Sequence, residues 1–99
     1  MSLQFDTPIS PAEILREEYL APLGMSPGAL ARKLHVPRTR IERLVRGVHP
    51  VTSDTALRLA KYFNTTAEFW MAMQTSYDLA LARRAIAADL DAIDTMAAA

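Results

Sequence analysis

Residues 26–47 read SPGALARKLHVPRTRIERLVRG, and this stretch decides the fold because it encodes two short helices joined by a tight turn. Ser26 and Pro27 begin the first helix, since a serine side chain can cap a helix and proline suits the first helical position. A proline disfavours helical geometry in the residue before it, so this helix ends before Pro37. The second helix is predicted to begin near Pro37 and to end before Gly47, which can adopt a left-handed conformation.

The apolar side chains of this stretch are spaced to pack the two helices against each other. Ala31 is a small residue at the point where the helices touch, and Leu34 and Val36 flank the turn. Ile41 and Leu44 lie three positions apart, which places them on the inner face of the second helix. A tight turn, a small contact residue and an anchored second helix together indicate a helix-turn-helix unit.

The outward face of the second helix carries side chains that suit DNA. In such units one helix crosses the DNA backbone and the next lies in the major groove. Arginine can bond guanine O6 and N7 together, and a threonine methyl can contact the thymine methyl. We therefore predict that the residues reading bases are Arg38, Thr39 and Arg43. The predicted phosphate contacts, which use a positive charge or a helix N-terminus, are Ser26, Gly28, Arg40 and Arg46.

Charge is distributed unevenly along a chain whose 11 basic and 11 acidic side chains give zero net charge. Residues 24–50 contain six basic side chains and one acidic one, for a net charge of +5, whereas residues 1–23 carry −3 and residues 51–99 carry −2. A local positive field can attract a polyanion even when the whole molecule is neutral. Because arginines on an exposed helix are often only a solvated face, the charge supports DNA binding only together with the two-helix unit.

Start and stop signals outside this stretch predict three more helices. The first is predicted to run from Ser10 to about Leu20, the second from Thr52 or Ser53 to Asn64, and the third from Thr65 to about Ala82. Glutamates follow the first and third of these starts at the spacing of a capping box, at Glu13 and Glu68. Strand patterns are weak throughout the chain. We therefore predict an all-α fold, with a five-helix DNA-binding domain over residues 1–82 and a helical C-terminal tail over residues 83–99.

The tail carries a narrow apolar seam. Ile86, Leu90 and Ile93 follow a spacing of four and then three residues, which places them on one side of a helix. The seam could pack back on its own domain or against the same helix of a second subunit. Readers of palindromic DNA are commonly two-fold dimers, so we predict that these three residues lie in a dimer interface.

The sequence argues against several other functions. It contains no cysteine, and its two histidines, His35 and His49, lie in predicted turns with no carboxylate at ligand spacing, so we predict no metal site and no cofactor. No hydroxyl nucleophile is paired with a base, which indicates that the chain is not an enzyme. We interpret Trp70 as a core residue rather than a base-stacking platform. No signal peptide or apolar stretch of about 20 residues is evident, and we expect a cytoplasmic protein without a membrane partner.

Three stretches strongly resemble HigA-type antitoxins, also described as VapI-like. They are PAEILREEYLAPLGMS at residues 11–26, ALARKLHVPRTRIERLVRG at residues 29–47 and TSDTALRLAKYFNTTAEFW at residues 52–70. The resemblance covers about residues 8–82 and places the chain in the XRE, or lambda-repressor-like, helix-turn-helix superfamily. It implies a five-helix fold and a homodimer that binds a palindromic operator. It further implies neutralisation of an mRNA-cleaving toxin of the RelE-like HigB type.

Two residues depart from the pattern of this family. Pro27 stands where many relatives have a glutamine that contacts phosphate, so the resemblance does not imply that contact for this chain. His35 stands in the turn where glycine is frequent, and a left-handed conformation there would cost on the order of 1 kcal/mol. Neither departure removes the signals for the fold.

Two other functions compete with that of an autoregulating antitoxin. A free-standing repressor without a toxin would have the same DNA-binding features, and only a neighbouring gene for a small basic RNase-like protein would separate the two. An interaction protein that no longer binds DNA is disfavoured, because the second helix of the unit retains the outward arginines Arg38, Arg40, Arg43 and Arg46.

Overall fold

The computed structural model describes residues 8–97, which form six helices and no strand. The first helix, α1, consists of an α-helical turn Pro11–Ile14, a π-helical segment Leu15–Leu20 and a second α-helical turn Ala21–Leu23. The other helices are α2 (Pro27–Leu34), α3 (Arg38–Val45), α4 (Ser53–Phe63), α5 (Ala67–Ala85) and α6 (Ala87–Asp91). The predicted all-α class is confirmed, and no described helix is long and apolar enough to cross a membrane.

The first helix ends three residues later than the predicted end at Leu20. Its middle is a widened π turn, in which the Ala21 N–H donates to the carbonyl of Arg16, five residues earlier. A proline ring clashes with the carbonyl four residues before it in an ordinary helix, and a widened turn relieves that clash. Pro22 and Gly24 together predict an end near Leu20. Pro22 instead lies inside the helix, and Gly24 ends it with a left-handed φ of 59°.

Hydroxyl caps start four of the helices. The capping oxygens accept from backbone N–H groups three residues later, over 3.0–3.3 Å, and belong to Ser10, Ser26, Thr52 and Thr66. The predicted cap of α5 at Thr65 is wrong by one residue. The Thr65 hydroxyl instead accepts a bond from the indole Nε1 of Trp70 at 2.8 Å, so it is engaged with the core.

The core centres on a tryptophan held between the first and last helices of the domain. Trp70 on α5 is fully buried, which confirms its interpretation as a core residue. Tyr19 from α1 packs on it with ring centroids 5.2 Å apart, and Tyr19 also lies 4.7 Å from the ring of Phe63 at the end of α4. This aromatic cluster holds α1, α4 and α5 together, and α2 and α3 are placed against these helices.

The C-terminal tail does not pack on its own domain. The α5 helix continues three residues beyond the predicted end at Ala82, and Ile86, with φ −117° and ψ 23°, separates it from α6. The side chains of Ile86, Leu90 and Ile93 are 43%, 44% and 67% exposed. Of the two alternatives for the seam, packing back on the same chain is therefore not the one that the structure adopts.

Candidate nucleic-acid interface

The helices α2 and α3 form the predicted helix-turn-helix pair. His35 begins the turn in a left-handed conformation, with φ 61° and ψ 45°, as its position predicts. The His35 and Val36 N–H groups donate to the carbonyls of Arg32 and Ala31 at 3.2 and 3.0 Å. These bonds close α2, and Pro37 then caps α3 in an extended conformation.

The inner face of α3 is buried against α2 and the rest of the core. Ile41 is fully buried and Leu44 is 2% exposed, while Ala31 and Leu34 of α2 are also buried. The predicted packing residues of the unit are thus confirmed. The end of α3 forms a Schellman motif: the Gly47 N–H donates to Leu44 and the Val48 N–H to Arg43, with Gly47 at φ 75°.

The opposite face of α3 is exposed and strongly basic. Arg38, Thr39, Arg43 and Arg46 all lie on the surface, as the prediction of DNA-contacting residues requires. Within residues 8–97 the side chains of Arg43 and Arg46 form no hydrogen bond or ion pair. Arg38 lies beside Glu42, with Nε 3.4 Å from the carboxylate Oε2. The base-reading roles of Arg38, Thr39 and Arg43 remain predictions.

Arg40 is the one predicted phosphate contact on α3 that is held by a carboxylate. Its Nη1 donates to Asp54 Oδ1 at 2.7 Å, and the Nε of Arg58 donates to the same oxygen at 2.7 Å. The hydrogen bonds from Arg58 and Arg40 hold the pKa of Asp54 below its ordinary value, against a smaller opposing effect of desolvation. Asp54 thus joins the recognition helix α3 to the first turn of α4.

The N-terminus of α2 supplies the remaining predicted phosphate contacts. Ser26 accepts from the Ala29 N–H at 3.1 Å, and Gly28 occupies the second position of α2, where helix geometry offers no acceptor for a backbone N–H. The side chain of Arg38 passes directly over Gly28: a Cβ built on Gly28 would lie 3.0 Å from Arg38 Cδ and 3.4 Å from Arg38 Cγ. The two helix N-termini therefore lie side by side at one surface.

Comparison with known proteins places this interface in a family. Residues 15–70 match the protein family described as Helix-turn-helix. Virulence-associated protein I of Dichelobacter nodosus is 54% identical over 76 residues, which cover 77% of this chain and 70% of that protein. Antitoxin HigA-1 of Vibrio cholerae is 36% identical over 72 residues, which cover 73% of this chain and 68% of that protein.

The solved structure of the Pseudomonas aeruginosa antitoxin HigA with higBA promoter superposes with a TM-score of 0.88. It is 41% identical, over 91% of this chain and 99% of that chain. The chain belongs to the HigA-type antitoxins of the helix-turn-helix family. It is therefore a DNA-binding transcription regulator rather than an enzyme, and the resemblance seen in the sequence is confirmed.

Two arginines of this HigA-type chain hold the helix-turn-helix unit from outside, and the sequence reasoning missed both. Arg16 of α1 donates Nη1 to the carbonyl of Val45 at the end of α3, at 2.6 Å. Arg58 of α4 donates Nη1 to the carbonyl of Leu34 at the end of α2, at 2.8 Å. A positive charge at a helix C-terminus meets the negative end of the helix dipole and a free carbonyl.

Proposed function

We propose that this HigA-type antitoxin binds a palindromic operator near its own gene as a homodimer, with α3 in the major groove. The observation that carries the proposal is the division of α3 into two faces. Ile41 and Leu44 are buried, so the helix cannot rotate about its axis, and the basic face is held outward. A helix fixed in this way can present the same side chains to each half-site.

The proposed roles of the outward residues follow from their positions. Arg38 and Thr39 lie in the first turn of α3 and read bases, and Arg43 reads a base about one turn later. Ser26, the Gly28 amide and Arg46 contact phosphates on either side of the groove. Arg40 contacts phosphate as well in this proposal, although its bond to Asp54 means that it must share its donors.

The proposed dimer forms through the tail. The seam of Ile86, Leu90 and Ile93 is exposed in the isolated chain, and the second half of α5 adds the exposed side chains Leu79 and Leu81. Burying apolar surface of this kind favours association by roughly 25 cal/mol per Å². A two-fold axis through these helices would match the symmetry of a palindrome.

We also propose that the protein acts in the cytoplasm and neutralises a RelE-like toxin of the HigB type. Membership of the HigA-type family supports this role. Residues 1–23 and 51–99 carry net charges of −3 and −2, so they could attract a small basic toxin without covering α3. The test is co-expression with the small basic reading frame next to the gene: the two proteins should copurify and the toxin's growth arrest should be relieved. A toxic neighbour that neither binds nor is relieved would contradict this role.

The DNA-binding proposal is tested by a mobility-shift titration on DNA from just upstream of the gene, at two salt concentrations. The wild type should bind tightly, with log K falling against log salt by about 0.9 for each phosphate neutralised. The Arg38→Ala/Arg43→Ala variant should lose this binding. The control Arg83→Ala/Arg84→Ala removes the same charge from the end of α5 and should retain it. Failure of the wild type to bind, or equal losses in both variants, would contradict the proposal.

A further inference from the structure

Arg38 is held on two sides before any DNA is bound. On one side, its Nε lies 3.4 Å from Glu42 Oε2, one helical turn further along α3. On the other side, its aliphatic stem lies on Gly28 of α2, so closely that a Cβ there would come within 3.0 Å of Arg38 Cδ. These two contacts favour one direction for an otherwise mobile side chain.

The contact with Glu42 leaves the useful end of Arg38 available. Glu42 pairs with Nε, and within the described chain no partner bonds the two terminal nitrogens Nη1 and Nη2. These two nitrogens form the fork that donates to O6 and N7 of guanine. A fork aimed in advance loses less side-chain freedom when it binds, which favours a base at the correct position over one that requires a different rotamer.

Neither the stability of the fold nor general affinity for DNA explains why a glutamate stands at position 42. The side chains of Arg38 and Glu42 are 71% and 42% exposed, and pairs this open contribute little to folding. Glu42 is also the sole acidic residue in residues 24–50, among four arginines of α3 and its end. A carboxylate on this face is repelled by every phosphate, so it weakens binding to DNA of any sequence.

We infer that Glu42 is a specificity-determining residue that acts through Arg38, and that Gly28 is the platform that lets Arg38 take the required position. The inferred target of Arg38 is a guanine in the major groove. This inference rests on the proposed function, in which α3 reads DNA. Glu42 lowers the affinity for all DNA and raises the preference for one base pair.

The experiment measures dissociation constants by fluorescence anisotropy for the operator and for operators with one base pair replaced at a time. Arg38→Ala identifies the base pair read by Arg38, where roughly five- to 150-fold of discrimination should be lost. Glu42→Gln should lose about two- to fivefold of discrimination at that same base pair. It should also bind unrelated DNA about twofold more tightly, because one negative charge per subunit is gone. The double variant Arg38→Ala/Glu42→Gln should discriminate at this base pair no less than Arg38→Ala alone.

Gly28→Ala tests the platform without endangering the fold. The added Cβ meets the flexible stem of Arg38 rather than backbone, so the side chain can move aside. Alanine is favoured over glycine in a helix, and the melting temperature should stay the same or rise. Discrimination at the base pair of Arg38 should nevertheless fall by about two- to fivefold, and the substitution should have no further effect in an Arg38→Ala background.

The outcomes separate this inference from the function on which it rests. If Arg38→Ala leaves discrimination unchanged while the wild type still binds the operator, Arg38 does not read a base and only this inference is overturned. If the wild type does not bind the operator, the proposed function is overturned as well. If Arg38→Ala relaxes one position and Glu42→Gln relaxes none, only the role of Glu42 is overturned. If Glu42→Gln loses discrimination at a different base pair, Glu42 itself accepts a bond from cytosine N4 at that position. This result would overturn its action through Arg38. The control Glu18→Gln removes the same charge from α1, and an equal loss of discrimination in this variant would also overturn the inference.

Discussion

The helix-turn-helix unit buries its apolar residues, whereas the C-terminal tail exposes them. In α2 and α3 the inner side chains are almost completely buried, as with Leu30 and Ile41 at 0% exposure. In the tail the seam residues remain exposed, with Ile93 at 67%. A single chain therefore completes the DNA-reading unit, whereas the tail presents an apolar surface that its own domain does not cover.

The largest expected effect lies in the core that supports the reading unit. Trp70→Ala should lower the free energy of unfolding by about 3–5 kcal/mol, because it opens a cavity and leaves the Thr65 hydroxyl without its donor. The measurement is urea unfolding followed by circular dichroism at several protein concentrations, which separates folding from association.

A neighbour on the same helix provides the control for Trp70. Phe69→Ala removes an aromatic ring of which 40% is already exposed, so its cost should be clearly smaller. Equal losses for Trp70→Ala and Phe69→Ala would mean that the aromatic cluster does not depend on the burial of the tryptophan, contrary to the packing of Tyr19 on its ring.

A smaller effect is expected at the carbonyls that end the reading helices. Arg16→Met keeps most of the aliphatic stem and removes the bond to Val45, so it should cost about 1–2 kcal/mol of unfolding free energy. Arg84→Met is the control, since it removes a charge from the exposed end of α5 and should change stability by less than about 0.5 kcal/mol. If Arg16→Met proved as mild as its control, the 2.6 Å bond would have no role in fixing α3.

Local signals in the sequence predicted most of the fold, because they act between residues close in the chain. The caps at Ser10 and Ser26 and the left-handed Gly47 depend on partners three to five residues away, and the structure confirms them. The predicted end of α1 near Leu20 is wrong because Pro22 follows a widened turn, which lets a proline lie inside the helix. The widening is a property of the whole helix in its packed position.

The candidate site was predictable in its outline but not in its bonds. The exposed arginines of α3 follow from helical periodicity alone. The support by Arg16 and Arg58 joins residues 29 and 24 positions apart, and the Arg40–Asp54 bond spans 14 positions. No periodicity within one helix specifies such partners, since they depend on how α1 and α4 are placed around the unit.

The contribution of Asp54 to stability should depend on pH. Its pKa is lowered in the folded protein by bonds from Arg58 and Arg40, so its stabilising effect is complete above the ordinary value of 3.8. The effect is lost as the pH falls through the lowered pKa. The difference in melting temperature between wild type and Asp54→Asn should thus be constant from about pH 7 to pH 5 and shrink in more acidic solution.

The control for this pH dependence comes from the tail. Asp91→Asn removes the same charge from α6, where no arginine of the described chain pairs with the carboxylate. Its melting temperature should follow that of the wild type across the acidic range. A difference for Asp54→Asn that does not change between pH 5 and pH 2 would show that the two arginines do not stabilise the ionised carboxylate.

The smallest effect on folding is expected in the tail, together with the loss of the dimer. Leu90→Ser should change the unfolding free energy of the isolated domain by less than about 0.5 kcal/mol, because Leu90 is 44% exposed. Light scattering should nevertheless show a shift from dimer to monomer. Ala88→Ser is the control, since it changes the polarity of α6 outside the seam of Ile86, Leu90 and Ile93. A Leu90→Ser variant that remains a dimer would show that the interface does not depend on the seam. Truncation after Tyr77 would then show whether any part of the tail contributes to the interface.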